Sequence, residues 1–165
     1  MIQRMTVAIS AACTLVLGIG NTLLADDGVG VRIIETLRGD PEMAERMLID
    51  GGTLSFSLLS HLEDAQAMLV VDAANLEATP GTVRVFEAAA MDRFIRRTRG
   101  RSVHEVGLAD LMDMARLHEC LPPQRALVCI QPERVDWGEL LSPAVRAATP
   151  HACRQVREIL WRWAS

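Results

Sequence analysis

Four aspartates and one histidine are the residues best suited to chemistry: Asp26, Asp27, Asp50, Asp72 and His104. Carboxylates combined with an imidazole suit a divalent cation of borderline softness, and several carboxylates placed together without a cation would repel and raise their own pKa values. The alternative for each Asp is local, a side chain capping a turn or a helix N-terminus. His104 alone reads as a surface or hydrogen-bonded histidine. Its place after the basic stretch Arg93 to Arg101 and just before Gly107 suggests a loop able to swing a ligand inward.

These residues converge only if the elements around them share an orientation. Thr14 to Ile19 is a short apolar run ending at Gly20-Asn21, the pattern of a strand buried on both faces. Val29, Ile33, Ile34 and Leu37 then recur at helical spacing up to Gly39, predicting a helix from about Gly28 to Arg38. Met47 to Asp50 reads as a second strand ended by Gly51-Gly52, and Leu54, Leu58, Leu59 and Leu62 mark a following helix. Ala67 to Val71 is a third strand closing on Asp72. Thr82 to Phe86, after the Pro80-Gly81 turn, alternates like an edge strand and is a candidate antiparallel member. A long loop holding His104 comes next, then a helix through Leu108, Leu111, Met112 and Ala115, and a last strand from Ala126 to Ile130. Ser142-Pro143 and Thr149-Pro150 each pair a capping residue with proline, predicting two short consecutive helices. The whole predicts one α/β domain over residues 1–165, a three-layer sandwich with a mostly parallel five-stranded twisted sheet and helices on both faces. Ligands in such sheets bind at the carboxyl ends of the strands, where Asp26, Asp27, Asp50 and Asp72 fall.

The chain has 165 residues, the size of one ordinary domain, and is half apolar, enough to build a core. A formal charge of -4 argues against nucleic acid or an anionic membrane as partner. The arginine stretch Arg93, Arg96, Arg97, Arg99 and Arg101 reads as a solvated loop, with an acidic peptide as its alternative partner. Cys13, Cys120, Cys129 and Cys153 stand far apart, which fits reduced, apolar thiols in a cytoplasmic protein better than a zinc or redox site. Arg4 and the apolar run after it resemble a secretory signal, but the run leads without an obvious cleavage site into the Gly18 to Gly30 segment.

Two other chemistries fit less well. Gly18, Gly20 and Asn21 suggest a dinucleotide-binding turn, yet Leu23 holds the third glycine position and Asp26-Asp27 would set negative charge against a pyrophosphate. There is no Gly-x-Ser-x-Gly elbow, and no Ser or Cys is linked by position to His104 as a nucleophile.

The segments Leu17 to Gly30, Asp50-Gly51-Gly52-Thr53, Val71-Asp72-Ala73 and His104-Glu105-Val106-Gly107-Leu108 resemble, in order, those of the NiFe-hydrogenase maturation endopeptidases. Gln131-Pro132-Glu133, Trp137-Gly138 and Leu141-Ser142-Pro143 extend the resemblance. It implies a cytoplasmic endopeptidase that removes the C-terminal extension of a NiFe-hydrogenase large-subunit precursor once nickel is in place. Asp27, Asp72 and His104 fall on the family's metal-contacting positions. The first of these is often Glu in relatives, so Asp27 reaches about one methylene less far. The nickel comes with the precursor and acts as a recognition element, and no organic cofactor is implied. Hydrolysis would rest on Asp27 and Asp72, with the metal polarising the carbonyl, the metal activating water, or an Asp serving as general base. Asp26, Asp50, Gly51 and Gly52 would bind substrate or orient the ligands from behind. A noncatalytic sensor of nickel loading is the alternative within the same partnership.

Overall fold

The structure is a computed structural model and describes residues 8–53, 56–98 and 103–165, with side chains at all of these except 56 and 103–106. Its strands are β1 (Thr14–Ile19), β2 (Met47–Gly52), β3 (Ala67–Ala73), β4 (Val83–Glu87) and β5 (Gln124–Ile130), joined in one sheet of order β2-β1-β3-β5-β4. The pairings are parallel except β4 with β5. The continuous apolar runs are the interior strands: β1 is buried throughout and β3 nearly so. Strands β2 and β4, partly exposed, form the two edges.

Among the described residues, five α-helices cover the sheet: α1 (Val29–Arg38), α2 (Leu59–Glu63), α3 (Ala89–Thr98), α4 (Val103–Leu117) and α5 (Pro143–Ala164). Alternation along the strands divides the core. Val16, Val71 and Val128 pack with Ile33 and Ile34 of α1 and Val156 and Leu160 of α5. Leu15, Leu17, Met68 and Val70 pack with Leu62 of α2, Met91 of α3, and Leu108 and Met112 of α4. The three-layer α/β sandwich expected from the sequence is therefore the observed fold.

Three expectations about the helices need correction. The region between β4 and α4 is not one long loop, because α3 occupies 89–98 and His104 lies in the first turn of α4. The apolar signal of α3 is sparse, Met91, Ile95 and Thr98 facing inward, and its arginines mask it. Phe94 stacks on Phe86 of β4 with ring centroids 4.2 Å apart, and Arg125 of β5 grips Asp92 through Nε at 3.0 Å and a terminal nitrogen at 2.7 Å. Arg93, Arg96 and Arg97 thus ride on a helix, while Arg99 and Arg101 lie outside the described residues.

The two C-terminal helices are one helix of 22 residues with Pro150 inside it. Ser142 caps it, its hydroxyl accepting from Val145 N–H, and Pro143 follows as the first helical residue. A proline within a helix costs about 3 kcal/mol, but the buried stripe of Val145, Ala152, Val156, Ile159, Leu160 and Trp163 continues past it, each large side chain contributing roughly 1.5–3 kcal/mol. Pro150 sits on the exposed side. The helix expected from Leu54 is shorter than its leucine spacing suggests: a 3-10 turn at Phe56–Leu58 leads into α2, and Leu54 lies outside the described residues.

Candidate active site at the strand exits

Strands β2, β1 and β3 end together. Gly18 lies between Asp50 of β2 and Val71 of β3, and Ile19 pairs with Gly52. The Gly20 N–H donates to the Gly52 carbonyl at 2.8 Å, so the chain leaves β1 directly beside the Asp50-Gly51-Gly52 turn. Asp72 sits one residue further along β3, buried, opposite Cys129 of β5. By strand alternation it belongs to the sheet face of Met68 and Val70, the face covered by α4.

After β1 the chain turns through Asn21 into a 3-10 turn at Ala25–Gly28 that leads into α1. Asp27 occupies that turn and is almost fully buried, with one carboxylate oxygen accepting the Asn21 N–H at 2.9 Å. Gly20 makes the hairpin passage possible: its φ is +134°, and a Cβ there would meet the Asp27 carbonyl oxygen at 1.9 Å. Gly30 does the same for the helix, since a Cβ would lie 2.2 Å from the Val71 oxygen and 2.3 Å from that of Ile19. Two glycines thus draw the turn carrying Asp27 down onto the ends of β1 and β3. Ala25, buried just ahead of the two aspartates, holds a φ of 48°, a strained left-handed conformation for a residue with a Cβ.

Asp26 has a different environment. It is fully buried, and its carboxylate accepts backbone N–H groups from Glu133 at 2.9 Å, Arg134 at 3.1 Å and Ser142 at 2.7 Å. Burial pushes its pKa up, but the backbone and hydroxyl of Ser142 and the N–H groups of Glu133 and Arg134 outweigh this and hold the carboxyl below its ordinary range. Asp26 therefore ties the segment 131–142 to the turn that carries Asp27. This partnership, across more than a hundred residues of sequence, left no local signal; only the adjacency of Asp26 to Asp27 hinted at a supporting role.

Asp50 is exposed and its Oδ1 accepts the Gly52 N–H at 2.8 Å, a local turn bond, with Gly52 at a φ of 48°. Residue 104 belongs to α4. That helix ends shortly before β5 starts, so its C-terminal end lies at the strands' entry edge; its 15 residues, about 22 Å long, carry its first turn toward the exit edge. The His104 side chain lies outside the described ones, and among the described residues no three His, Cys, Asp or Glu side chains form a ready metal cage. The exit edge thus gathers Asp27 and Asp72, with Asp50-Gly51-Gly52 alongside and Asp26 beneath as a tether. Two carboxylates so placed can accept a proton from water or occupy part of a cation's coordination sphere, leaving other positions open.

The fold and this acidic exit edge define a small three-layer α/β domain with buried carboxylates at its strand exits, and comparison with known proteins supplies the family. Residues 31–159 match the HycI family, described as hydrogenase maturation protease. The hydrogenase expression/formation protein HoxM of Cupriavidus necator is 36% identical over 149 residues, covering 89% of this chain and 73% of HoxM. The hydrogenase 2 maturation protease of Escherichia coli is 33% identical over 146 residues, covering 86% of this chain and 87% of that one. Among solved structures, the hydrogenase maturating endopeptidase HybD from E. coli superposes with a TM-score of 0.82 at 31% identity, covering 90% of this chain and 92% of that one. The chain belongs to the hydrogenase maturation protease family.

Proposed function

We propose that this protein cleaves the C-terminal extension from a nickel-loaded NiFe-hydrogenase large-subunit precursor, with the precursor's nickel as the feature it recognises. Family membership supports the endopeptidase activity and the class of substrate. The observation that supports the nickel reading is the placement of Asp27 in the turn leaving β1 and of Asp72 near the end of the neighbouring parallel strand β3, with α4 running so that residue 104 lies toward the same edge. In this reading Asp27, Asp72 and His104 contact the metal, while the precursor's own ligands hold the rest of its coordination sphere. Affinity then depends on cargo, and unloaded precursor is passed over.

The hydrolytic step draws on the same groups. Asp27 or Asp72 takes the proton of the attacking water, or the precursor's metal polarises the scissile carbonyl or the water. Gly52, where a Cβ would meet nothing nearer than the Asp50 carboxylate at 3.9 Å, lets substrate backbone approach closely, whereas Gly51 is required by packing, a Cβ there meeting the Leu17 side chain at 2.7 Å. The four cysteines are all unbridged, which supports a reducing cytoplasmic setting.

The test is to incubate the purified protein with nickel-loaded and nickel-free precursor and follow precursor mass. Shortening of the loaded form alone is expected. Equal cleavage of both forms would remove nickel recognition, and binding without any mass change would leave a sensor of loading rather than a protease.

A further inference from the structure

Among the described residues, six large apolar side chains are exposed, and four of them lie in two segments that are bonded together beside Asp27: Leu23 at 47%, Val135 at 53%, Trp137 at 81% and Leu140 at 73%. Leu23 belongs to the turn that leaves β1. The other three belong to the segment 131–142, and the two segments join where Gly138 N–H donates to the Leu23 carbonyl at 2.9 Å and Ala25 N–H to the Gly138 carbonyl at 2.6 Å. The segment is firmly held. Asp26 takes three of its backbone N–H groups, Arg32 of α1 donates to the Glu139 carbonyl, and Gln131 accepts from Leu76 N–H at 2.7 Å. A buried carboxylate and a helix arginine therefore fix a loop whose indole and aliphatic side chains face water.

Exposing this much apolar surface on a rigid loop is unfavourable unless something covers it, and tryptophan is among the side chains enriched at the energetic centres of protein interfaces. We propose that Leu23, Val135, Trp137 and Leu140 form a preorganised apolar platform that docks an apolar surface of the protein substrate while its scissile segment reaches Asp27. This rests on the proposed activity and deepens it by naming the docking surface. Occupancy by the substrate, rather than by an unrelated protein, rests on continuity: the platform segment is hydrogen-bonded to Asp26 and Ala25, the residues just ahead of Asp27, so a protein held at Asp27 lies against it.

The test measures binding separately from cleavage, using purified nickel-loaded precursor as the probe. Trp137→Ser and Leu140→Ser should each weaken precursor binding and raise KM at least tenfold, with kcat and melting temperature nearly unchanged, because both side chains stand in water. Trp161→Ser, an equally exposed tryptophan on α5, is the control and should leave KM unchanged. Unchanged binding by Trp137→Ser together with Leu140→Ser would overturn the platform. So would a wild-type dimer that these substitutions convert to monomer, since a second copy would then be the occupant. A wild-type protein that binds precursor but does not cleave it would refute the proposed activity and still decide the platform through the binding arm.

Discussion

At the residue scale, Asp26 and Asp27 are neighbours in sequence with different surroundings: Asp26 accepts three backbone N–H groups from the segment 131–142, and Asp27 accepts the Asn21 N–H in the turn leaving β1. Asp27→Asn keeps an oxygen to accept the Asn21 N–H, so it separates chemistry from structure: cleavage of loaded precursor should fall at least 100-fold while the melting temperature barely moves. Asp26→Ala should act the other way. It leaves the buried Ser142 N–H without its acceptor, a loss of roughly 1–3 kcal/mol, and releases the part-buried Glu133 and Arg134 N–H groups, so the segment 131–142 should loosen and stability should fall, read by denaturant unfolding. The folded-state pKa of Asp26 lies below the ordinary 3.8, so its contribution is fully present above that value and is lost as pH falls through and below it. Stability should therefore decline as the pH falls below the ordinary carboxylate range in the wild type, and Asp26→Asn should flatten that part of the stability curve. A curve of the same shape for both would show that Asp26 is not ionised in the folded protein. Asp26 was legible in the sequence as a member of an acidic cluster, but its role was not, because all three of its partners lie near the other end of the chain.

At the element scale, the interior strands were legible because their apolar runs, though short, are uninterrupted and end at glycine or aspartate, and the edge position of β4 showed in its alternation. The helices were less so. The buried positions of α3 are few and set among arginines, and Pro150 reads locally as a start although α5 runs through it. Pro150→Ala should raise stability by about 1–3 kcal/mol, since it restores a helical N–H on an exposed face without touching the core, and calorimetry would show the gain. Gly30→Ala should do the reverse. Its Cβ would press on two backbone carbonyl oxygens of β1 and β3, neither of which can move without disturbing the sheet, so α1 and the Asp27 turn would be displaced together. A Gly30→Ala variant with wild-type stability and cleavage would mean that the approach of α1 to the sheet is looser than these contacts require.

At the scale of the whole molecule, the parallel order β2-β1-β3-β5 brings the β1, β2 and β3 exits to one edge and sets α4 to deliver residue 104 toward it. If the metal arrives with the substrate, treating the protein alone with a chelator and then removing the chelator should leave cleavage of loaded precursor unchanged. Loss of activity under that treatment, restored by nickel, would assign a metal to the protein itself.

The sequence by itself determined the fold class, the strand set and the acidic residues worth watching, because apolar period and glycine position are local properties that burial enforces wherever the chain goes. Only the tertiary structure decided that Asp26 is sealed against the segment 131–142 while Asp27 bonds within its own turn, and that Trp137 stands exposed on that segment. Those outcomes depend on hydrogen bonds and on packing between segments far apart in the chain, which no local pattern encodes.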